Sequence, residues 1–160
     1  MISFDAGSHR FNLRAAAVIR HDGYLLLHRA EGDGFWSFPG GRVEPGEAGA
    51  QTVAREMAEE IDATVEVGPM LCLVENFYTY RGQPYHELGL YFSATLAPDS
   101  PLLDRSRAHH GEETGHGLTF RWFALDALAA LDIRPGCLRE QILSGDTTFT
   151  HVVHDDPDPA

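Results

Sequence analysis

The chain has 160 residues, enough for one domain with a substantial core, and its 43% hydrophobic and 10% aromatic content argues against a disordered protein. The formal net charge of −12, from 24 acidic and 12 basic residues, argues against binding to a nucleic acid polymer, which is itself an anion. Because all the basic residues are arginines, any direct cationic contact to a phosphate must come from a guanidinium group.

The chain carries no sequence signal for secretion or membrane insertion. No apolar run approaches the length of a membrane span, and the first ten residues lack the charged-then-apolar order of a signal peptide. Cys72 and Cys137 have no paired spacing, so we interpret both as buried free thiols. These features predict a cytoplasmic protein without a membrane partner.

The first forty residues alternate between apolar runs and turn residues. Residues 12–20 and 24–30 are rich in apolar side chains and predict two strands, joined at residues 21–23 by a turn that contains an Asp-Gly pair. Residues 31–41 combine several glycines with a proline and three aromatic residues, a composition that is typical of a loop.

Residues 48–61 have the period of an amphipathic helix. Val53, Met57 and Ile61 recur at every fourth position and define an apolar stripe. A Pro-Gly pair precedes the helix as a loop, which leaves Glu47 near the unpaired amides of the helix entry, where a carboxylate is favoured.

The second half of the chain predicts further strands and two short helices. We expect strands at residues 64–80, 85–96 and 119–123, a turn at 81–84 and a polar loop at 97–117. We expect helices at residues 125–131 and 135–143, the latter opened by a proline. Residues 1–150 are then a single α/β domain with a mixed sheet, and residues 151–160 are an acidic, disordered tail.

Three glutamates, Glu56, Glu59 and Glu60, lie about one turn apart along the flank of the predicted helix. Like charges at this spacing destabilise an isolated helix. A cluster of this kind is usually a solvated helix face. The alternative is a site for a hard cation such as Mg²⁺, which takes oxygen ligands and shares them with substrate phosphates. The surrounding sequence decides between the two interpretations.

The glutamates belong to a longer motif within residues 41–63, which reads Gly-x5-Glu-x7-Arg-Glu-x-x-Glu-Glu. This order resembles the Nudix box of MutT-like hydrolases. The resemblance implies a Nudix-type α/β/α sandwich with a mixed β-sheet, in which the box forms a loop, a helix and a loop. Asp62 replaces the glycine that normally ends the box helix in a left-handed conformation, which Asp tolerates better than most residues.

The resemblance also implies a role for each residue of the box. It assigns Mg²⁺ or Mn²⁺ to a set of oxygen ligands with Glu60 as the primary one, completed by Glu56, Glu59 and the main-chain carbonyl of Gly40. Arg55 and Glu47 are implied to form an ion pair that orients these carboxylates. Such a site meets the needs of phosphoanhydride hydrolysis, which are neutralised phosphoryl charge and an activated water.

Beyond the box, Glu112 and Glu113 precede the last predicted strand, where several members of the family carry a further metal ligand or general base. We choose Glu113 as the catalytic candidate, which would accept a proton from the attacking water if the loop closes over the site. The alternative is an exposed acidic loop without a catalytic role.

Four side chains are candidates for contacts with the substrate. Arg29 and Arg42 can grip a phosphate, and a surface ion pair is the alternative for each. Trp36 can stack on a base, and so can Tyr80, for which packing in the sheet is the competing role. In the family, a tyrosine near the position of Tyr80 is associated with dinucleoside polyphosphates, but one tyrosine leaves the choice of substrate open.

The resemblance implies a metal-dependent hydrolase that cleaves the diphosphate linkage of a nucleoside diphosphate derivative through a metal-activated water. Its partner is a small nucleotide-type substrate, and a homodimer is left open. The alternative is a non-catalytic Nudix-fold nucleotide sensor, although sensors usually lose box carboxylates and this chain keeps them. A prenyl diphosphate isomerase shares the fold, but it needs a catalytic cysteine. The sequence around Cys72 and Cys137 does not support this role for either residue.

Overall fold

The computed structural model describes residues 1–156, in which two six-stranded sheets are combined with two α-helices. The strands are β1 (Ser3–Ala6), β2 (His9–Val18), β3 (Arg20–His21), β4 (Tyr24–Ala30), β5 (Trp36–Ser37), β6 (Gly40–Arg42), β7 (Val65–Tyr80), β8 (Gln83–Leu96), β9 (His109–Glu113), β10 (His116–Ala124), β11 (Ile133–Arg134) and β12 (Thr150–Asp155). The helices are α1 (Gly49–Ile61) and α2 (Leu138–Ser144), and two 3₁₀ helices span Pro101–Leu103 and Leu125–Ala130.

Both sheets contain parallel and antiparallel pairs. The first sheet has the order β1-β2-β8-β7-β12, with β6 paired to β2. The second has the order β11-β5-β4-β10-β9, with β3 paired to β4. The pairs β2–β8, β7–β12 and β5–β11 are parallel. The predicted α/β fold with a mixed sheet is therefore confirmed.

Strand β2 contributes to the core on both of its faces. One hydrophobic cluster combines β2 with α1 through Ala15, Ala17, Val53 and Met57. A second cluster combines β2 with α2 through Ala16, Val18, Leu138 and Ile142. Since successive residues of a strand point to opposite faces, α1 and α2 pack on opposite sides of this strand. This layering agrees with an α/β/α sandwich.

The predicted turns, the long strands and the box helix are confirmed within a few residues. Asp22 and Gly23 form the two-residue turn between β3 and β4, with φ values of 47° and 80°. Positive φ at both positions is the geometry that favours an Asp-Gly pair in a tight hairpin. The long hairpin of β7 and β8 turns in the same way at Arg81 and Gly82, with φ values of 51° and 77°.

The loop predicted at residues 97–117 is wrong in its last part. Residues His109–Glu113 form β9, which pairs with β10 and packs against α1. The sequence His-His-Gly-Glu-Glu has little intrinsic preference for a strand, so these tertiary contacts determine its conformation. Gly111 permits the close packing, because a Cβ at this position would collide with the main-chain oxygen of Glu60.

The disordered tail predicted from residue 151 is also wrong as far as residue 156. Residues Thr150–Asp155 form β12, which pairs in parallel with β7 from Cys72 to Phe77. The side chains of this segment alternate between half-buried and exposed, as in an edge strand with one face against the protein, whereas its acidic and proline-bearing end favours disorder from sequence alone. The last part of the predicted tail, residues 157–160, lies outside the described residues.

Smaller differences concern the connections. The predicted loop at residues 31–41 contains β5 and the start of β6, and α2 begins at Leu138, three residues after the predicted start at Pro135. Among residues 1–156 no helix is long and apolar enough to cross a membrane, since the longest, α1, has 13 residues.

Candidate active site

Helix α1 ends at Asp62, whose backbone is left-handed with φ 52° and ψ 38°. The main-chain N–H of Asp62 donates to the carbonyl of Ala58, and that of Ala63 donates to the carbonyl of Met57. These two bonds satisfy carbonyls that the helix end would otherwise leave unpaired. Asp62 thus ends the helix in the conformation that the glycine of the family motif favours.

Arg55 connects the carboxylates of the box. Its Nε and Nη2 donate to the two carboxylate oxygens of Glu47 over 2.8 and 3.0 Å. Its Nη1 donates to Glu56 Oε1 over 2.8 Å and to Glu59 Oε2 over 3.1 Å. One guanidinium therefore holds three carboxylates, and the ion pair predicted between Arg55 and Glu47 is present.

Glu47 has a dense set of hydrogen-bond donors. Besides Arg55, the hydroxyl of Thr52 donates to it over 2.7 Å and the main-chain N–H of Glu44 over 3.1 Å. The bonds from Arg55, together with those from Glu44 and Thr52, lower the pKa of Glu47 to about 2. Glu47 is therefore a permanent anion that fixes Arg55 beside the other glutamates.

Glu60 is the most buried of the three box glutamates, with a side chain that is only 2% exposed. Neither of its carboxylate oxygens has a hydrogen-bond partner in the described residues. Burial, and then the charge of Glu113, raises the pKa of Glu60 to about 8. A buried carboxylate without a partner is unfavourable unless it is protonated or bound to a cation.

Glu56 lies beside the glycine pair that precedes the box helix. Its side chain is 12% exposed, and burial raises its pKa against the opposing effect of Arg55. Gly41 makes room for this side chain, because a Cβ at position 41 would collide with the Glu56 carboxylate. The glycine of the motif is therefore required by side-chain packing.

Glu59 differs from the other two glutamates because its side chain is 61% exposed and contacts Arg55. In the part of the chain that the structure describes, no three His, Cys, Asp or Glu side chains converge closely enough to form a ready metal site. The residues nevertheless fit a divalent cation, since Glu60 offers two unpartnered oxygens and Glu56 lies on the same helix face. To join them, the exposed Glu59 side chain would have to leave Arg55 and change rotamer.

Glu113 lies on β9 and lines a cavity. Its charge contributes to the raised pKa values of Glu56 and Glu60, so it lies within electrostatic reach of both. Glu112 points to the opposite face of the strand, because side chains alternate along β9. The geometry therefore separates the two candidates that the sequence left together.

The cavity that Glu113 lines has a volume of about 220 Å³. Glu56, Glu59 and Glu60 are not among its lining residues, but His28 is, and its Nδ1 lies 3.7 Å from Oε2 of Glu60. The basic side chains of the cavity are Arg14, Arg42 and Arg134, and its aromatic side chains include Phe35, Tyr80 and Tyr85. The hydroxyl of Tyr80 donates to Asp33 over 2.9 Å, and burial followed by this bond raises its pKa to about 12. Arg42 and Tyr80 thus both line the cavity, and their contacts with substrate stay a prediction.

Arg29 and Trp36 do not line this cavity. The strand neighbours of each residue do: His28 and Ala30 flank Arg29, and Phe35 and Ser37 flank Trp36. Because side chains alternate along a strand, Arg29 and Trp36 point away from the cavity, where the guanidinium lies 4.6 Å from the centre of the indole ring. The expectation that they bind substrate in this cavity is therefore corrected, because both side chains lie on the face of their strand that is turned away from it.

Sequence reasoning missed Arg14 and His28. Arg14 lines the cavity from β2 and donates through Nη2 to the carbonyl of Phe38 over 3.1 Å. Burial, and then the charge of Arg14, lowers the pKa of His28 to about 3, so this imidazole is neutral. For Arg14, its position within the apolar run of β2 could have indicated a functional residue. For His28, nothing in the sequence indicates a place in the site.

The chain matches the family model described as the NUDIX domain over residues 10–142. It is 31% identical over 111 residues to an asymmetrical bis(5′-nucleosyl)-tetraphosphatase of Sus scrofa, covering 68% of each chain. It is 44% identical over 57 residues to a CTP pyrophosphohydrolase of Escherichia coli, a match that covers 33% of this chain and 42% of the relative.

The fold is also found among solved structures. The MutT protein of Bacillus halodurans superposes with a TM-score of 0.65 at 20% identity, over 90% of this chain and 89% of that one. The chain spans less than half the length of three of the curated relatives that it matches. The match to the family model nevertheless covers most of the chain, and the chain belongs to the NUDIX domain family.

Proposed function

We propose that the protein is a metal-dependent hydrolase that cleaves the diphosphate linkage of a nucleoside diphosphate derivative. The observation that carries this proposal is the buried carboxylate of Glu60, whose two oxygens have no partner in the described residues. It lies 3.7 Å from His28, which lines a cavity that also contains Glu113 and arginines. The relatives support the proposal, since they are named as a CTP pyrophosphohydrolase and a bis(5′-nucleosyl)-tetraphosphatase.

Mg²⁺ or Mn²⁺ would be held by Glu56, Glu59 and Glu60, with the main-chain carbonyl of Gly40 as a further oxygen ligand. When bound, such an ion neutralises phosphoryl charge and lowers the pKa of water. Within the chain, Arg55 keeps the carboxylates in place through its bonds to Glu47 and Glu56.

The cavity residues bind the phosphates and accept a proton. Arg14 and Arg42 line the cavity and present guanidinium donors to the diphosphate. Glu113, on the same wall, accepts the proton of the attacking water. The products are a nucleoside monophosphate and the phosphorylated remainder of the substrate.

The test is hydrolysis of a panel of nucleoside diphosphate derivatives and nucleoside triphosphates, with Mg²⁺ and with a chelator. We expect Mg²⁺-dependent release of nucleoside monophosphate from at least one compound, and a loss of at least ~100-fold in kcat/KM for Glu60→Gln. Glu140→Gln is the matched control, since Glu140 is exposed on α2.

Two results would contradict the proposal. Full activity of Glu60→Gln would show that hydrolysis does not depend on the Glu60 carboxylate and would contradict the proposed mechanism. Nucleotide binding without turnover of any compound would favour the alternative of a non-catalytic sensor. Light scattering of the same preparation tests the separate prediction of a homodimer.

A further inference from the structure

The deep part of the cavity carries polar side chains that the proposed hydrolysis does not use. Asn12, Glu87 and Asn76 lie directly opposite one another on β2, β8 and β7. They are 3%, 5% and 4% exposed, and all three line the cavity. We call these three residues the polar row. Buried polar groups are unfavourable without hydrogen-bond partners, and within the row Oδ1 of Asn76 is buried without one in the described residues.

Asp156 fixes the orientation of Asn76 within the row. Nδ2 of Asn76 donates to Oδ2 of Asp156 over 3.3 Å. A carboxylate only accepts, so the amide must turn its nitrogen towards Asp156 and its oxygen away. Asp156 is itself held by Nε2 of His154 over 2.8 Å and by its own main-chain N–H, which donates to the carbonyl of Phe77 over 2.9 Å.

The amide oxygen of Asn76 is left as an acceptor without a donor. This Oδ1 atom is buried and has no hydrogen-bond partner in the described residues. Because Asp156 prevents the amide from flipping, the unmet group is an acceptor and not a donor. A ligand that satisfies it must bring an N–H or O–H group to the floor of the cavity.

The other two members of the row complete a mixed pattern. Glu87 accepts the hydroxyl of Tyr78 over 2.9 Å, and a carboxylate has lone pairs for further donors. The side-chain oxygen of Asn12 accepts the hydroxyl of Ser3 over 2.7 Å, which leaves the Asn12 amide nitrogen to donate. The row therefore presents acceptors at Asn76 and Glu87, and a donor at Asn12.

The polar row and Glu113 line the same cavity. Arg14 follows Asn12 by two residues on the same face of β2, and both line the cavity that Glu113 also lines. Tyr85 lines this cavity as well and gives it an aromatic surface. A nucleotide with its diphosphate at Arg14 would therefore place its base towards the row.

We propose that the polar row, with Asn76 fixed by Asp156, recognises the nucleobase and selects cytosine or adenine over uracil or hypoxanthine. This assignment rests on the proposed function, since it concerns the base of the same substrate. The exocyclic amine of cytosine or adenine donates to Asn76 and Glu87, and the neighbouring ring nitrogen accepts from Asn12. Uracil and hypoxanthine carry a carbonyl in place of that amine, so acceptor would face acceptor and the buried groups would stay unpaired.

The test compares nucleoside monophosphates, because their binding does not require hydrolysis. Calorimetry in the presence of Mg²⁺ measures the dissociation constants of CMP against UMP and of AMP against IMP, two pairs that differ in the amine or carbonyl. In at least one pair we expect the nucleotide with the amine, CMP or AMP, to bind at least ~10-fold tighter than its partner with the carbonyl. In neither pair should UMP or IMP bind tighter.

Variants of the row should remove this preference. Asn76→Leu removes the unpaired acceptor and Glu87→Gln replaces a carboxylate oxygen with an amide, so each should reduce the preference to less than about 3-fold. The control is Glu75→Gln, since Glu75 lies beside Asn76 on the opposite face of β7 and pairs with His151. Circular dichroism and thermal melts verify folding, and Glu87→Gln carries the test if Asn76→Leu does not fold.

Equal binding within both pairs, or an unchanged preference in Glu87→Gln, would overturn the assignment. Hydrolysis of the nucleotide panel separates this outcome from a failure of the proposed function. If the protein prefers one base in binding but hydrolyses no compound, base recognition by the polar row is supported and the proposed hydrolase function is refuted. If it hydrolyses nucleotides without a base preference, the hydrolase function is supported and base recognition by the row is refuted.

Discussion

Nδ1 of His28 lies 3.7 Å from Oε2 of Glu60, and both atoms are buried without a hydrogen-bond partner in the described residues. The two groups do not form an ion pair, because burial lowers the pKa of His28 to about 3 and raises that of Glu60 to about 8. Near pH 7 the cation-free protein therefore holds a neutral imidazole beside a largely protonated carboxyl group.

The first prediction is that cation-free protein loses stability as the pH rises from about 6.5 to about 8. In the folded protein Glu60 keeps its proton up to about pH 8, whereas in the unfolded protein it loses the proton near its ordinary pKa of 4.5. The contribution of Glu60 to the free energy of unfolding therefore falls as the pH rises through this interval. His28 acts in the opposite direction between pH 3 and its ordinary 6.5, since only the unfolded state binds its proton. The two slopes offset each other between about pH 4.5 and 6.5, and only the Glu60 slope remains above pH 6.5.

The slope for one proton is at most about 1.4 kcal/mol per pH unit, so the loss is up to about 2 kcal/mol by pH 8. Urea unfolding in EDTA at several pH values measures it. Glu60→Gln should abolish the decline above pH 6.5, and Mg²⁺ should restore stability to the unmodified protein at pH 8. Parallel pH profiles of the two proteins in EDTA would show that Glu60 does not titrate in this way.

The second prediction concerns Arg55, which holds Glu47, Glu56 and Glu59 together. Arg55→Ala leaves partly buried carboxylates without their shared donor and should lower the free energy of unfolding by about 2–3 kcal/mol. Arg55→Lys should recover only part of this, because an ammonium cannot form the two-pronged contact with Glu47. Urea denaturation at pH 7 measures both changes.

Arg107→Ala is the control for this prediction. Arg107 pairs with Asp104 over 3.0 Å, but their side chains are 61% and 45% exposed. Such exposed pairs contribute little, so we expect Arg107→Ala to leave the urea midpoint nearly unchanged. Equal effects of Arg55→Ala and Arg107→Ala would mean that the box ion pairs do not stabilise the fold.

The contrast between Arg55 and Asn76 shows why only part of the site is predictable from sequence. Arg55 and its three carboxylate partners lie within residues 47–59, so a local motif reveals them. Asn76 and Asp156 are 80 residues apart and meet because β12 pairs with β7. No local pattern encodes that pairing, and the tail that supplies Asp156 was expected to be disordered.

Strand parity explains the errors at Arg29 and Trp36. Each was chosen for its residue type, yet a shift of one position along a strand reverses the face on which a side chain lies. In residues 31–41 the high glycine content concealed the short strands, so no alternation was available to assign faces. Fold class and box helix follow from local periodicity, whereas the cavity wall requires the strand register.

The third prediction is that Gly41→Ala impairs catalysis more than folding. Its Cβ would collide with the Glu56 carboxylate, and displacing that side chain should lower the apparent affinity for Mg²⁺ and reduce kcat/KM by at least ~10-fold. Mg²⁺ titrations of the activity measure both effects. Gly117→Ala is the control, since its Cβ would lie 3.6 Å from the nearest atom, in ordinary contact. Wild-type activity of Gly41→Ala would contradict the packing argument.

The fourth prediction is that restoring the family's glycine at Asp62 stabilises the protein. Asp62 has φ 52°, a conformation that Gly adopts without the steric penalty of a Cβ. Asp62→Gly should therefore raise the free energy of unfolding by about 0.5–1 kcal/mol, and Asp62→Ala should lower it by about 1 kcal/mol. Asp126→Gly should destabilise, because Asp126 is exposed in the first turn of a 3₁₀ helix, where Gly adds backbone freedom and removes a carboxylate from the helix entry. Urea unfolding of the three variants measures these changes. If Asp62→Gly is less stable than the unmodified protein, the Asp62 carboxylate stabilises the helix end by more than its left-handed backbone destabilises it.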